Sequence, residues 1–352
     1  MEYMALGCMS GTSLDGIDCS LIKSDGLSFA NEISNEFIPY SKELQKKLLN
    51  TISQEYLNDT SVLTLLNEEY KKAINQFIKN NNVKIDLIAM HGQTIFHDQK
   101  TKISIQLFDK SLSFDSNSPV ICNFRKNDLL NGGNGAPIMP EFHKMIAMQL
   151  DLKKVIFVNI GGVTNITLIN NEDINAGDSS FGNAIINDLI YERIGQNFDI
   201  NGSLSEKGKK IETLFNKILT DQFFDKKLPK SLDRNYFHKY KKYFFQHDNL
   251  NNIIFTLLEI IPFAIRKLIS SPSDYKIILM GGGRKNLTLQ KIFKKYFEDV
   301  SLIDFYNMNG DFIESQGMAY LGIRYLLKKH STYYSTTKAV SYTHLTLPTT
   351  SP

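Results

Sequence analysis

The chain is short of several things, and each shortage excludes something. Three cysteines (Cys8, Cys19, Cys122) in 352 residues cannot form a disulfide framework, so a reducing compartment, the cytoplasm, is expected. Only six of the 40 cationic residues are Arg, and the net charge is only +3. Lys is the weaker choice for bidentate reading of bases and phosphates, and no clustered basic face stands out, so no nucleic-acid partner is expected. No apolar run is long enough to span a bilayer, which takes ~20 residues. The longest, IIFTLLEIIPFAI at 253–265, is interrupted by Glu259 and Pro262 and reads as a buried helix with a kink. The start, MEYMALGCMSGTS, lacks the basic region of a signal peptide, so no membrane role is expected. Too little charge is present for a disordered chain: 22% of residues are charged and 42% hydrophobic. From about Ala339 the sequence AVSYTHLTLPTTSP carries no charged group and no periodicity, and residues 339–352 read as a disordered end or a foreign sequence.

The length favours one large or two medium domains. Strands are predicted at 4–9 and 17–23, joined by the turn SGTSLDG, and another near 36–39. Ser41 is a plausible cap for the following helix. Val62, Leu66, Tyr70, Ala73, Ile74 and Phe77 share one helical face, which predicts a helix over 60–80. The continuous run VKIDLIAM (83–90) reads as a buried parallel strand ending in a polar loop, HGQT at 91–94. The second half repeats this order. KKVIFVNIGGVTNITLIN (153–170) reads as strand, glycine turn, strand. Helices are predicted at about 183–197, 206–220 and 250–270, then the strand YKIILM (275–280) ending in GGGRKN. All four polar loops then fall at matching strand ends, where open α/β sheets bind ligands.

The turn Gly11-Thr12-Ser13-Leu14-Asp15-Gly16 is no Walker loop, because a strand follows it and its last glycine precedes no lysine. It still offers closely spaced backbone N–H groups and the hydroxyls of Ser10, Thr12 and Ser13, a cradle for phosphate oxygens. Asp15 and Asp18 are candidates for holding Mg2+, directly or through water. The bland reading is a plain hairpin turn. Gly161 and Gly162 fit the same role in the second half, and Gly281, Gly282 and Gly283 let a backbone approach a flat adenine or ribose. Taken together, these signals suggest a bound nucleotide. Asp178, in AGDSSFGNAIIND, is placed by sequence near a helix N-terminus, where the positive end of the dipole favours its ionised form. It is either a general base or an N-cap. His91 and His97 are six apart with no obvious third ligand, so structural or substrate-contacting roles are favoured over zinc. Arg125, in FRKND, suits a substrate carboxylate or phosphate. The run Asn131–Pro137 is a flexible loop leading to a helix at about 137–150 and a candidate domain crossover. Glu314 stands at the start of a last helix, 314–328, where it either caps the helix or reaches a substrate hydroxyl.

Together MSGTSLDGID, HGQT, FRKND with GGNGAP and PEFH, NIGGVTN, GD-x-x-x-GN and GGGRKN resemble the anhydro-N-acetylmuramic acid kinases of bacteria, from about residue 5 to 328. The resemblance implies an actin/sugar-kinase/Hsp70-type α/β fold, two ribonuclease-H-like domains flanking an interdomain ATP cleft. The domains implied are 1–135 plus 314–338, and 136–313. It implies a reaction in which water attacks C1 of 1,6-anhydro-N-acetylmuramic acid while O6 takes the γ-phosphate of ATP, giving N-acetylmuramic acid 6-phosphate for peptidoglycan recycling. By resemblance Asp178 is the base, and Thr94, Arg125 and Glu314 contact the sugar. Gly11, Thr12, Ser13, Leu14, Asp15, Gly16, Ile17 and Asp18 hold the ATP phosphates with Mg2+, and Asn286 of GGGRKN joins the nucleotide set. The partners implied are the amino sugar, ATP and a second copy in a homodimer. The chain departs from the family pattern where Asp-Thr-Gly-Pro-Gly-Asn becomes Asp178-Ser179-Ser180-Phe181-Gly182-Asn183, and at Asn187 and Asn123, each in place of an Asp. Other readings are another sugar kinase or a metal-dependent carbamoyl transferase of the same fold, or a non-catalytic nucleotide or sugar sensor.

Overall fold

A computed structural model describes residues 1–11, 13–53, 60–98, 101–109 and 111–340. It divides into two compact units, Met1–Asp151 with Phe312–Pro352, and Leu152–Asp311. The boundary expected at 135/136 falls instead at 151/152, because the helix after the glycine loop packs in the first unit. Phe142 of that helix packs at a tilt against Tyr320 of the last long helix, ring centroids 5.5 Å apart. The boundary expected at 338/339 also moves. Ala339 is buried, and its carbonyl accepts from Thr337 Oγ1 at 3.2 Å. The rest of the tail, 341–352, lies outside the described residues, as does Thr12.

In the first unit, β1 (Tyr3–Ser10), β2 (Gly16–Ser24) and β3 (Ala30–Pro39) form an antiparallel meander. Helices α1 (Lys42–Ser53) and α2 (Thr60–Asn81) follow, then β4 (Leu87–Asp98), parallel to β1. Strands β5 (Ile103–Leu107) and β6 (Val120–Ile121) both pair with β4. Helices α3 (Phe124–Leu130) and α4 (Pro140–Gln149) end this stretch. In the second unit β7 (Lys154–Ile160), β8 (Val163–Asn170) and β9 (Asp173–Phe181) repeat the meander. Helices α5 (Asn183–Ile194), α6 (Glu212–Leu219), α7 (Lys241–Phe244) and α8 (Leu250–Lys267) follow. Then come β10 (Lys276–Met280), parallel to β7, α9 (Leu287–Tyr296) and β11 (Val300–Leu302), parallel to β10. The chain returns to the first unit with α10 (Ile313–Leu326) and α11 (Tyr334–Thr337). Strand order is β3-β2-β1-β4-β5 in one sheet, with β6 also on β4, and β9-β8-β7-β10-β11 in the other. Three antiparallel strands followed by parallel additions beside the first is the ribonuclease-H-like arrangement, present twice.

The cores follow from the patterning. Val62, Leu66, Tyr70, Ile74 and Phe77 are all buried on one face of α2, against Leu6, Cys8, Ile17, Cys19 and Leu21 of the sheet. Ser41 caps α1, accepting from the Leu44 amide at 3.2 Å. The other sheet face carries α10. Its backbone comes so close that a Cβ on Gly7 would lie 1.9 Å from the Ser315 carbonyl, so only glycine fits there. In the second unit α8 runs past Pro262, and its buried residues join one large core with α5, α6 and α9. The helix expected over 206–220 is only α6, preceded by short 3-10 turns. Among the described residues no helix is long and apolar enough to cross a membrane.

Candidate active site

β1 leads into β2 through Gly11 and residues 13–15, beside Gln93 in the middle of β4, because Ser10 pairs with Gln93 across the parallel ladder. Gln93 Nε2 donates to the Gly11 carbonyl at 2.9 Å, and the Tyr40 amide donates to the Asp15 carbonyl at 2.9 Å. Behind the turn Ser10 Oγ shares a hydrogen bond with Tyr70 OH at 2.8 Å, and Tyr40 OH donates to Ser10 Oγ at 2.9 Å. Burial pushes the Tyr40 and Tyr70 phenols up, so they stay protonated donors. Gly11 is therefore held by the Gln93 side chain and Asp15 by the Tyr40 backbone. Not every residue of the predicted set faces outward. Leu14 and Ile17 are core residues, so only their backbones are offered. Gly16 opens β2 against Ile38 and Phe37. Ser13 and Asp15 are exposed and bonded to each other, Oγ to Oδ1 at 2.5 Å, and Asp18 is half-buried on β2. These two carboxylates suit a water-bearing Mg2+ better than an all-protein cage.

HGQT is not the loop that was expected. Residues 91–94 lie within β4, with Gly92 at φ +79 and a bulge just after Thr94. Pairing with β5 extends the strand, a partner invisible to local patterning. Thr94 is half-buried on this strand. Arg125 sits in the first turn of α3, which Asn123 enters in the left-handed conformation (φ 64). Arg125 Nε donates to His91 Nε2 at 2.9 Å and Nη1 to the Gly135 carbonyl at 2.9 Å. His91 Nδ1 in turn bonds the Gly92 carbonyl at 2.8 Å. Both imidazole nitrogens are thus occupied, and burial, helped by the Arg125 charge, lowers its pKa to about 3. A neutral, fully bonded ring positions Arg125; it is not poised as a metal ligand. Burial also lowers the Arg125 pKa, opposed by the charges of Glu314 and Asp128. Glu314, in the first turn of α10, is therefore near enough to Arg125 to stabilise its charge.

In the second unit the glycine segments gather at the ends of β7 and β10, where Asn159 pairs with Met280. The Asn183 amide donates to the Gly161 carbonyl at 2.8 Å and the Gly182 amide to the Gly162 carbonyl at 3.1 Å. Gly281 (φ +72) lies against Asn159 and Ile160. Gly283 lies against Ile160 too, while a Cβ on Gly282 would meet nothing within 4 Å. Gly161, Gly162 and Gly281–Gly283 therefore do come together. Asn286 is used structurally: Oδ1 caps α9 at the Leu289 amide (2.9 Å) and Nδ2 reaches Asp199 at 3.3 Å. Arg284, which sequence reasoning missed, locks this loop. It is buried, paired with Asp304 and Asp311 (both 2.7 Å), and donates to the Gly281 carbonyl at 3.1 Å.

Asp178 is not at a helix N-terminus. It lies on β9, five residues ahead of α5 at Asn183. The segment after the Leu228–Pro229 peptide runs alongside: the Asp178 amide donates to the Lys230 carbonyl at 2.8 Å, and the Leu232 amide donates to Asp178 Oδ2 at 2.7 Å. Desolvation outweighs that amide and the nearby Lys230 charge, and it raises the carboxyl pKa to about 7. The expected stabilisation of the ionised form is thus reversed. Lys230 is itself depressed to about 8, mainly by burial, and donates to the Phe223 carbonyl at 3.0 Å. Of the departures, Phe181 is a core residue packed edge-on against Phe237 (5.1 Å), and Ser179 donates to the Thr164 carbonyl at 3.2 Å. Ser180 Oγ is buried without a partner. Nothing in the structure explains Asn187.

A family model described as anhydro-N-acetylmuramic acid kinase matches residues 3–349. A protein of Pelagibacter ubique with that name is 37% identical over 360 residues, covering 95% of each chain. Its namesake from Rhodopseudomonas palustris is 32% identical, covering 96% of each. Among solved structures, the (R)-2-hydroxyglutaryl-CoA dehydratase component A of Acidaminococcus fermentans aligns with 91% of this chain and 97% of its own, with a TM-score of 0.46 at 10% identity.

Proposed function

The chain belongs to the anhydro-N-acetylmuramic acid kinase family, and we propose that its Asp178 drives the ring-opening phosphorylation that such a kinase performs. It is an ATP-dependent sugar kinase. The substrate is 1,6-anhydro-N-acetylmuramic acid. Asp178 takes a proton from water, the water oxygen bonds to C1, and the C1–O6 bond breaks. O6 then takes the γ-phosphate, ADP leaves, and N-acetylmuramic acid 6-phosphate results. Transfer of this kind rests on positioning and charge neutralisation more than on covalent chemistry.

One observation carries the role of Asp178. A carboxyl raised to about 7, with Oδ2 fixed by the Leu232 amide, is a base matched to neutral pH. Replacing it by Asn keeps the shape and removes the base. Asp178→Asn is expected to lower turnover about 10³-fold with sugar affinity retained. Calorimetric sugar titration beside ADP release tests this, and wild-type turnover would remove Asp178 as base.

The sugar-contacting roles of Thr94, Arg125 and Glu314 belong to the same proposal, as does phosphate binding at Gly11–Asp18, Gly161 and Gly162, with the adenosine at Gly281–Gly283. Mg2+ brought by ATP, held at Asp15 or Asp18, would neutralise phosphate charge. A homodimer in the cytoplasm completes the reading, and light scattering on the purified chain tests the dimer. The carbamoyl-transferase alternative needs His91 as a metal ligand, and both of its nitrogens are already bonded within the unit.

A further inference from the structure

The proposed sugar-contacting arginine and the segment after α10 are joined through one buried carboxylate. Asp128, on α3, is fully buried. Its Oδ2 accepts from the Gly135 amide at 2.8 Å. Its Oδ1 accepts from Thr332 Oγ1 and Thr337 Oγ1, each at 2.7 Å. The Gly135 carbonyl is the group that takes Arg125 Nη1. Asp128 and Arg125, three residues apart on one helix, thus grip the two ends of a single residue, one at its N–H and one at its C=O.

The surrounding contacts allow that residue little freedom. The Asn134 amide donates to the Thr337 carbonyl at 2.7 Å, so 331–339 also holds the loop by its backbone. Lys102 Nζ donates to the Gly133 carbonyl at 2.7 Å and to Asn134 Oδ1 at 3.0 Å from the other side. Gly133 packs directly on the carboxylate, where a Cβ would lie 2.1 Å from Asp128 Oδ2. Farther along, Tyr333 OH bonds Glu141, which pairs with Arg324 at 2.8 Å, both side chains buried. A buried carboxylate is costly unless its lone pairs are filled, and here two of the donors come from residues far along the chain. Without those donors Asp128 Oδ1 is left under-bonded, the carboxylate must turn or shift to find other partners, and the Gly135 amide on Oδ2 moves with it.

We propose that Asp128, with Thr332 and Thr337, is a positioning device: residues 331–339 form a strap that fixes Gly135 and so aims the Arg125 guanidinium at the sugar. This rests on the reading of Arg125 as a sugar contact. The strap acts on the sugar and leaves the ATP loops alone, so it sets sugar affinity separately from nucleotide affinity.

The test uses the full purified chain with separate KM values for the anhydro sugar and ATP. A Thr332→Val, Thr337→Val double variant is expected to raise the sugar KM about tenfold or more, since small misplacements of a positioning group are costly. The ATP KM and kcat are expected to stay within about twofold, the signature of lost substrate binding alone. Thr332→Ser with Thr337→Ser keeps the donors and is expected to restore the sugar KM. An unchanged sugar KM in the valine pair overturns the proposal, and so does a parallel rise in both KM values, which marks general structural damage. If the valine pair loses its melting transition, Asp128→Asn decides by the same split. Arg125→Ala separates the two levels. A wild-type sugar KM there removes the sugar reading of Arg125 and this proposal with it. A raised sugar KM beside unaffected strap variants removes the strap alone.

Discussion

The two units share one topology but hold their loop regions with different shares of side-chain and backbone bonding. In the first, the loop backbone at Gly11, Asp15 and around Gly135 is held by side chains: Gln93, Gln45, Asp128, Lys102 and Arg125 each bond a loop backbone group. In the second, glycine backbones bond backbone neighbours, with the Arg284 side chain added at the Gly281 carbonyl, and a Cβ on Gly182 would lie 2.4 Å from the Gly161 carbonyl. The difference teaches that a repeated fold fixes where loops emerge, at the ends of parallel strands, while the chemistry of each loop is built independently. In the proposed reading, side chains fix both the turn that takes phosphate and the loop that aims Arg125, while bare glycine backbone allows the close approach of phosphate or a flat ring.

Four substitutions and one titration put that comparison at risk. The largest expected effect is at Phe181→Pro, which restores the usual family residue. The ring is core in this chain, so its loss is expected to destabilise the protein by about 3–5 kcal/mol, read as a fall in denaturant midpoint. A neutral outcome would mean that the end of β9 after Asp178 does not lean on the core. Next is Gly281→Ala, where a positive φ and a Cβ 2.4 Å from Asn159 Oδ1 predict a loss of about 2–4 kcal/mol. Gly11→Ala in the first unit has its nearest atom at 3.4 Å and is expected to change stability by less than about 0.5 kcal/mol. Equal costs at the two positions would erase the contrast between the units.

The titration concerns Asp178. Native Asp178 keeps its proton up to about 7, whereas the unfolded chain releases it near 3.8. The native state binds more protons in that window, so this group makes stability fall as pH rises from about 4 to 7. The contribution is about 4 kcal/mol. Comparing Asp178→Asn with wild type at pH 5 and pH 8 checks it: the variant is expected to gain stability at pH 8 only. Activity runs the other way, rising with pH through about 7 as the base ionises. The smallest stability effect is expected at Gly282→Ala, where nothing lies within 4 Å. A raised ATP KM with an unchanged melting temperature there would mark a glycine kept for ligand approach and not for the fold.

Much of this was legible in the sequence. The hairpin at 4–23 is present as β1 and β2, and the α2 stripe from Val62 to Phe77 is present as core. The gathering of Gly161–Gly162 with Gly281–Gly283 also follows from glycines at the ends of two apolar strands. These are local patterns of period two or four, with glycine marking the turns. HGQT read as a loop because nothing nearby in sequence announces its pairing with β5. Asp178 read as a dipole-stabilised carboxylate because Ser179, Ser180 and Phe181 look like a loop. In the fold they continue β9, and a segment 52 residues downstream, at Lys230, closes over the carboxyl.

The sequence by itself therefore determined the elements, the glycine turns and the residue types able to do the chemistry, since side-chain periodicity and backbone freedom are local properties. Only the tertiary structure decided the charge state of Asp178, the bonding of His91 to Arg125, and the link from Thr332 and Thr337 to Gly135. Each of these depends on desolvation or on a hydrogen bond between residues distant in the chain, and neither is written in the spacing of residues along it.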